Sequence, residues 1–245
     1  MKKFTRILIM LFLSCSTLTA QQITQQFTFT QNDLQISQSE GFDIVTLTQD
    51  DYLNGEIYAG KPQLPLKHFK LLLPKGASAT GVNISINSEQ QIAGSFYLYP
   101  VQMPVYPNYE SPPSFVEPDP TVYNSNNPFP ADNILAFENN GFRDYNYVSI
   151  SFVPVKYIPL SRQLYLLTNI TVIVNYSITP LIASHKLRPY GKVDENAYSF
   201  IETLVTNPIQ IGTFYPEVAD KIVQYRASGE TVYIPVILTP HSGPY

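Results

Sequence analysis

The chain has 245 residues, of which 15 are basic and 19 acidic, for a formal charge of −4. No basic run interrupts this balance, which excludes a nucleic-acid-binding surface, since neutralising phosphates needs clustered Lys and Arg. Hydrophobic residues make up 44% of the chain, enough for an ordinary core, and its one cysteine, Cys15, excludes a disulfide framework.

Residues 1–20 predict an export signal. Lys2, Lys3 and Arg6 come first, an apolar run follows over 7–13, and small and polar residues end at Ala20, with cleavage expected before Gln21. The apolar run is too short to span a bilayer, which needs about 20 residues, and no later run is long enough, so no transmembrane segment is expected. The expected location is the periplasm, the cell surface or the medium. A rival reading lipidates Cys15 after Leu13 and Ser14, although Phe12 fits that pattern poorly. Losing the signal leaves 12 basic residues against 19 acidic ones, a charge of −7, and no thiol.

The rest reads as mainly β. Apolar alternation between turn signals predicts strands at 26–30, 43–47, 69–73, 81–86, 95–99, 145–152 and 163–176. In the last, Ile170, Val172 and Val174 face one way and Thr171, Ile173 and Asn175 the other, which marks a long central strand. Eighteen Tyr and 14 Phe also suit strands, and a β-sandwich is the expected architecture.

Nine prolines between Pro100 and Pro130 break the pattern, because proline cannot donate to a ladder. This is a long irregular excursion. Its Tyr106, Tyr109, Phe115, Tyr123 and Phe129 predict packing, either on the chain's own sheet or on a partner. Farther on, 195–205 reads as a helix with Tyr198, Ile201, Leu204 and Val205 on one face, stopped by Pro208. A second short helix is expected at 218–225. An apolar run at 231–239, broken only by Pro235, suits a strand buried on both faces. Sequons stand at Asn83, Asn169 and Asn175.

Several short motifs follow one another in a set order: Gly60, Pro62, Leu64, Pro65; Leu73, Pro74, Gly76, Ala77; Tyr99, Pro100, Val101, Gln102, Pro104; Phe129, Pro130; Gly141, Arg143, Tyr145; Pro154, Val155, Tyr157, Pro159, Leu164. In order and spacing they resemble the N-terminal propeptide of gingipain-type cysteine proteases. The run at 231–239 resembles the first strand of that family's caspase-like catalytic domain. After the signal expected at 1–20, the resemblance implies a propeptide domain at 21–226 and, at 227–245, a linker with one trailing strand of a truncated α/β domain.

It further implies a propeptide that inhibits and chaperones the catalytic domain of a secreted cysteine endopeptidase, in cis or in trans. The chain itself is expected to be non-catalytic, because the family's Cys and His lie beyond that first strand. No mature cysteine can partner His68, His185 or His241, no acidic cluster makes them metal ligands, and no Gly-x-Ser-x-Gly elbow marks a serine nucleophile. No cofactor is expected. As the basic side chain that mimics substrate in the specificity pocket, Arg143, just after the turn signal Asn139, Asn140, Gly141, fits best, with Lys61 behind it. Lys221 and Arg226, beside Ala227, Ser228 and Gly229, are the expected processing residues. The alternative function is a stand-alone surface adhesin or a sandwich that binds glycan or protein through exposed aromatics of the excursion.

Overall fold

The structure is a computed structural model that describes residues 21–48, 51–105, 113–178, 195–216, 226–227 and 230–231. Its strands are β1 (Gln22–Thr28), β2 (Leu34–Ser39), β3 (Phe42–Leu47), β4 (Asp51–Tyr52), β5 (Pro65–Leu73), β6 (Ala77–Ile92), β7 (Ile134–Phe142), β8 (Tyr145–Phe152), β9 (Val155–Ile158) and β10 (Gln163–Ile178). Helices α1 (Pro120–Tyr123), α2 (Glu195–Leu204) and α3 (Ile211–Phe214), single 3-10 turns at Gln31–Asp33, Glu56–Tyr58 and Pro208–Gln210, and two-residue strands β11 (Arg226–Ala227) and β12 (Glu230–Thr231) complete the described elements.

Alternation along the strands builds two antiparallel sheets. One has the order β1-β10-β6, with β9 paired to the start of β10; the other has the order β4-β5-β8-β7. Ile170, Val172 and Val174 of β10 are fully buried, whereas Thr171, Ile173 and Asn175 are half-exposed on the opposite face. Phe69, Leu71 and Leu73 of β5 join Val148, Ile150 and Phe152 of β8 in the same core. Phe27 of β1 seals the join, its ring 4.8 Å from Phe69 and 5.3 Å from Phe152. At the sheet edges, the Asn139 side chain accepts from Ala79 N–H at 2.7 Å and donates to the Ala79 carbonyl at 2.9 Å, tying β7 to β6. The expected β-rich sandwich is the observed fold.

Four differences have physical reasons. Strand β6 runs to Ile92, well past residue 86, because Asn87, Ser88, Glu89, Gln90 and Gln91 are polar, exposed on both faces and carry no apolar signal. Strand β2 is almost wholly exposed and is held by β3 alone; Leu34 and Ile36 are its two apolar residues, too short an alternation to announce a strand. The segment 95–99 is extended but forms no ladder: Phe96 N–H donates to Arg162, Tyr97 and Tyr99 exchange bonds with Asp43, and the Tyr99 carbonyl accepts from Gln63. Those partners lie on three separate segments, which leaves no single neighbouring strand. Asn139, Asn140 and Gly141, expected as a turn, lie inside β7, and the chain reverses at Arg143 and Asp144. The asparagine amides that favour turns are bonded instead across the sheet, Asn139 to Ala79 and Asn140 to Ser149.

The described part of the proline-rich excursion covers its own domain. Tyr123 is buried and donates its hydroxyl to the Leu98 carbonyl at 2.7 Å, and Phe115 packs at 6.0 Å from Phe42 and 5.9 Å from Tyr99. Helix α1 starts where Asp119 accepts from the Thr121 hydroxyl and N–H, with Pro120 in the first turn. Those two bonds hold the Asp119 carboxyl below its ordinary range. Tyr106 and Tyr109 lie outside the described residues, as do the run beyond Thr231 and the helix expected at 218–225.

Candidate functional site

The motifs that carry the family resemblance meet one another in space. Gly60 N–H donates to the Val101 carbonyl, Val101 N–H to the Lys61 carbonyl, and Gln63 N–H to the Tyr99 carbonyl, so the first motif pairs with the third. Gly60 holds φ at +80°, and a Cβ there would lie 3.1 Å from the Glu117 carbonyl, a place only glycine fills without strain. Gln102 spans the excursion, its amide oxygen accepting from Val116 N–H at 2.8 Å and its NH2 donating to the Val116 carbonyl at 3.1 Å. Phe129 and Tyr157 exchange backbone bonds of 2.7 and 3.0 Å. Tyr157 is fully buried and donates its hydroxyl to the Phe96 carbonyl; burial pushes its phenol up to about 12. These residues fix the scaffold.

Arg143 stands on that scaffold at the tip of the β7–β8 hairpin. The strands pair up to Phe142 and Tyr145, leaving Arg143 and Asp144 as a two-residue turn, and Arg143 is exposed with φ at +54°. That left-handed conformation is unusual for a residue with a Cβ and turns the chain sharply. The guanidinium carbon lies 5.9 Å from the Phe142 ring centroid, and Phe142 rests in turn on Phe200 of α2 at 4.5 Å. Lys61 is half-buried at the opposite end of the same sheet, its Nζ 5.6 Å from the Tyr58 ring. It precedes β5, whereas the hairpin tip lies beyond Leu73, which pairs with Asn146. Nine strand residues separate the two ends, roughly 30 Å at the usual rise. One docked pose therefore cannot place both cations in a single pocket.

Arg226 and Ala227 pair with Thr231 and Glu230 in a small antiparallel hairpin, and Lys221 lies outside the described residues. His68 is a satisfied surface histidine. Its Nδ1 lies 2.7 Å from Ser151 Oγ and its Nε2 3.9 Å from Asp51 Oδ2, with both ionisable side chains about half exposed. A serine, histidine and aspartate are thus neighbours, but they sit in the ladder of an open sheet, and Ser151 pairs with His68 on one side and Ala136 on the other. No strand-to-helix elbow presents the hydroxyl. His185 and His241 lie outside the described residues. Among the described residues, no three His, Cys, Asp or Glu side chains gather as metal ligands, and no helix is long and apolar enough to cross a membrane.

The three sequons fall on one face, the outer surface of β6 and β10, where Asn83 pairs with Ile173 and Asn175 with Gly81. Asn169 and Asn175 already accept bonds from Asn87 and Gln22. Among the described residues, the excursion's aromatic rings lean on their own domain: Tyr123 is buried, and Phe115, the most exposed of them, lies against Phe42 and Tyr99.

Sequence reasoning missed the role of residues 195–216. Helix α2 buries Ala197 and Ile201, with Val205 just beyond, an i, i+4, i+8 stripe; Tyr198, expected on that face, is exposed. The stripe covers Leu72, Tyr145 and Tyr147 on the outer face of the second sheet.

The family model Propeptide_C25 matches residues 14–188. Two solved structures share the fold. The complex of Porphyromonas gingivalis RgpB pro- and mature domains is similar at a TM-score of 0.54 and 18% identity, over 78% of this chain and 95% of that one. A structure giving insight into zymogenic latency of gingipain K from Porphyromonas gingivalis is similar at a TM-score of 0.51 and 21% identity, over 64% of this chain and 88% of that one. No curated protein matches.

Proposed function

The chain belongs to the Propeptide_C25 family, and from that premise we propose that it restrains a gingipain-like cysteine endopeptidase by covering its caspase-like cleft and also assists folding of that catalytic domain. The observation that carries the inhibitory reading is the hairpin that holds Arg143 exposed at its tip on a rigid two-sheet scaffold. A cation at such a tip matches what a pocket for a basic substrate residue accepts, and a fixed backbone lowers the ordering cost of binding. The RgpB structure, a complex of pro- and mature domains, supports a catalytic domain as the partner. Residues 1–20 serve as the export signal in this reading, 21–226 as the propeptide and 227–245 as the entry to the protease domain; the location follows as periplasmic, cell-surface or secreted. The chain made without residues 1–20 should inhibit the catalytic domain of a gingipain-type protease in a peptide-cleavage assay. Glycan-array binding with no inhibition would instead favour the adhesin reading.

Processing falls after Arg226 in the same reading. A protease takes its substrate as an extended strand, so the two residue pairs between β11 and β12 open before the Arg226–Ala227 bond is cut. Limited digestion with a trypsin-like protease should release a fragment whose mass ends at Arg226, and Arg226→Gln should remove that fragment. A fragment ending at Lys221, or an intact bond, would refute this assignment.

A further inference from the structure

We propose that residues 195–216 act as a clasp that positions the β7–β8 hairpin, with Asn207 and Tyr215 as positioning residues for the Arg143 tip; this rests on the inhibitory reading above. The first observation is an open sheet edge. Strand β4 pairs with β5 only at Pro65 and Leu66, which leaves the later backbone of β5 without a strand on that side. Residues 206 and 207 fill the place. Thr206 donates from its N–H and its hydroxyl to the Lys70 carbonyl at 2.9 and 3.1 Å. The Asn207 side chain accepts from Leu72 N–H at 2.7 Å and donates to the Leu72 carbonyl at 3.1 Å, as a neighbouring strand would. Asn207 is the buried polar residue among those described, and both of its amide atoms are used on β5.

The second observation lies at the root of the hairpin. Tyr215 inserts its hydroxyl where β5 and β8 end together, accepting from Asn146 N–H at 2.7 Å and donating to the Leu73 carbonyl at 3.0 Å. Its ring lies 4.7 Å from Tyr145, the first residue after the turn, while Phe200 lies 4.5 Å from Phe142, the residue before it. Both strands of the hairpin therefore touch the clasp within three residues of Arg143. The outer face of β8 follows the same division: Tyr145 and Tyr147 lie under the clasp, whereas Ser149 and Ser151 beyond it are polar. Beyond Asn146, where β8 leaves β5, only the β7–β8 pair carries the turn, and so short a two-stranded end is marginal by itself, so the order of the tip depends on this cover. The clasp lies outside the residues matched by the family model and only 10 residues from Arg226, so a cut there leaves it on the propeptide side.

The test uses the full chain lacking residues 1–20, with Tyr215→Phe, which keeps the ring and removes the hydroxyl, and Phe200→Ala, at an exposed position that does not endanger folding. Amide hydrogen exchange over residues 141–147 should quicken by about tenfold in either variant while β6 and β10 exchange as before. The inhibition constant against a gingipain-type catalytic domain should rise about fivefold, roughly 1 kcal/mol. Unchanged exchange over 141–147 in both variants overturns the proposal. So does faster exchange with an unchanged inhibition constant, provided Arg143→Ala raises that constant. If Arg143→Ala itself changes nothing, the inhibitory reading fails and the positioning role falls with it.

Discussion

Replacing Phe152 with alanine should cost about 3–5 kcal/mol of folding stability, the usual range for removing a buried aromatic ring. Phe152 is fully buried on β8, with ring centroids 5.3 Å from Phe27, 6.4 Å from Phe29 and 5.9 Å from Phe69. Phe27 belongs to the first sheet and Phe69 to the second, so the lost ring opens a cavity in the join between the sheets rather than at an edge that can collapse. Domains of this size are stable by about 5–15 kcal/mol, so the loss is a large part of the total. Phe137, on β7 and 39% exposed, is the control, and its change to alanine should cost less than about 1 kcal/mol. Urea unfolding followed by tyrosine fluorescence measures both. A cost below about 1 kcal/mol for Phe152→Ala would mean that the two sheets do not share one core.

Arg143→Ala should raise the inhibition constant against a gingipain-type catalytic domain by tenfold or more, at least about 1.4 kcal/mol of binding, while leaving stability within about 0.5 kcal/mol because the side chain is exposed. Lys61→Ala should change inhibition by less than about twofold. The two cations stand at opposite ends of the β5–β8 sheet, and only the one at a protruding turn can lead into a pocket. Equal losses at both positions would show that inhibition spreads along the whole sheet. A loss at Lys61 alone would move the inhibitory tip to the other end of the domain.

The central strands were legible because their two faces meet different surroundings. The strand expected at 145–152 is Tyr145–Phe152, and Ile170, Val172 and Val174 lie on the buried face that the alternation predicts, since a buried face and a half-exposed one leave a period of two in the chain. Strand β2 and the far half of β6 were not legible, because strands exposed on both faces carry no such period. Leu71, Leu72 and Leu73 break the alternation for a reason no local reading supplies. Leu71 and Leu73 enter the sandwich core, while Leu72 is buried from the other side by residues more than 120 positions later in the chain. The same distance in sequence hides Asn207, an ordinary loop asparagine until it meets the open edge of β5.

The turn signal at Asn139, Asn140 and Gly141 lies two to four residues before Arg143, because the asparagines there bond across the sheet instead of bending the chain. The place of Arg143 at the tip depends on the register of β7 against β8. The proline and glycine motifs carry the family resemblance because Gly60, Gln102, Phe129 and Tyr157 join segments far apart in the chain, so their spacing records the fold rather than a reaction.

In the reading proposed above, this chain restrains a protease by occupying its cleft. Initial rates of a gingipain-type catalytic domain, measured with graded amounts of the chain at several concentrations of a small peptide substrate, test it most directly. The apparent inhibition constant should rise in proportion to substrate, as it must when inhibitor and substrate compete for one cleft. Inhibition that ignores substrate concentration, or no inhibition at all, would contradict it.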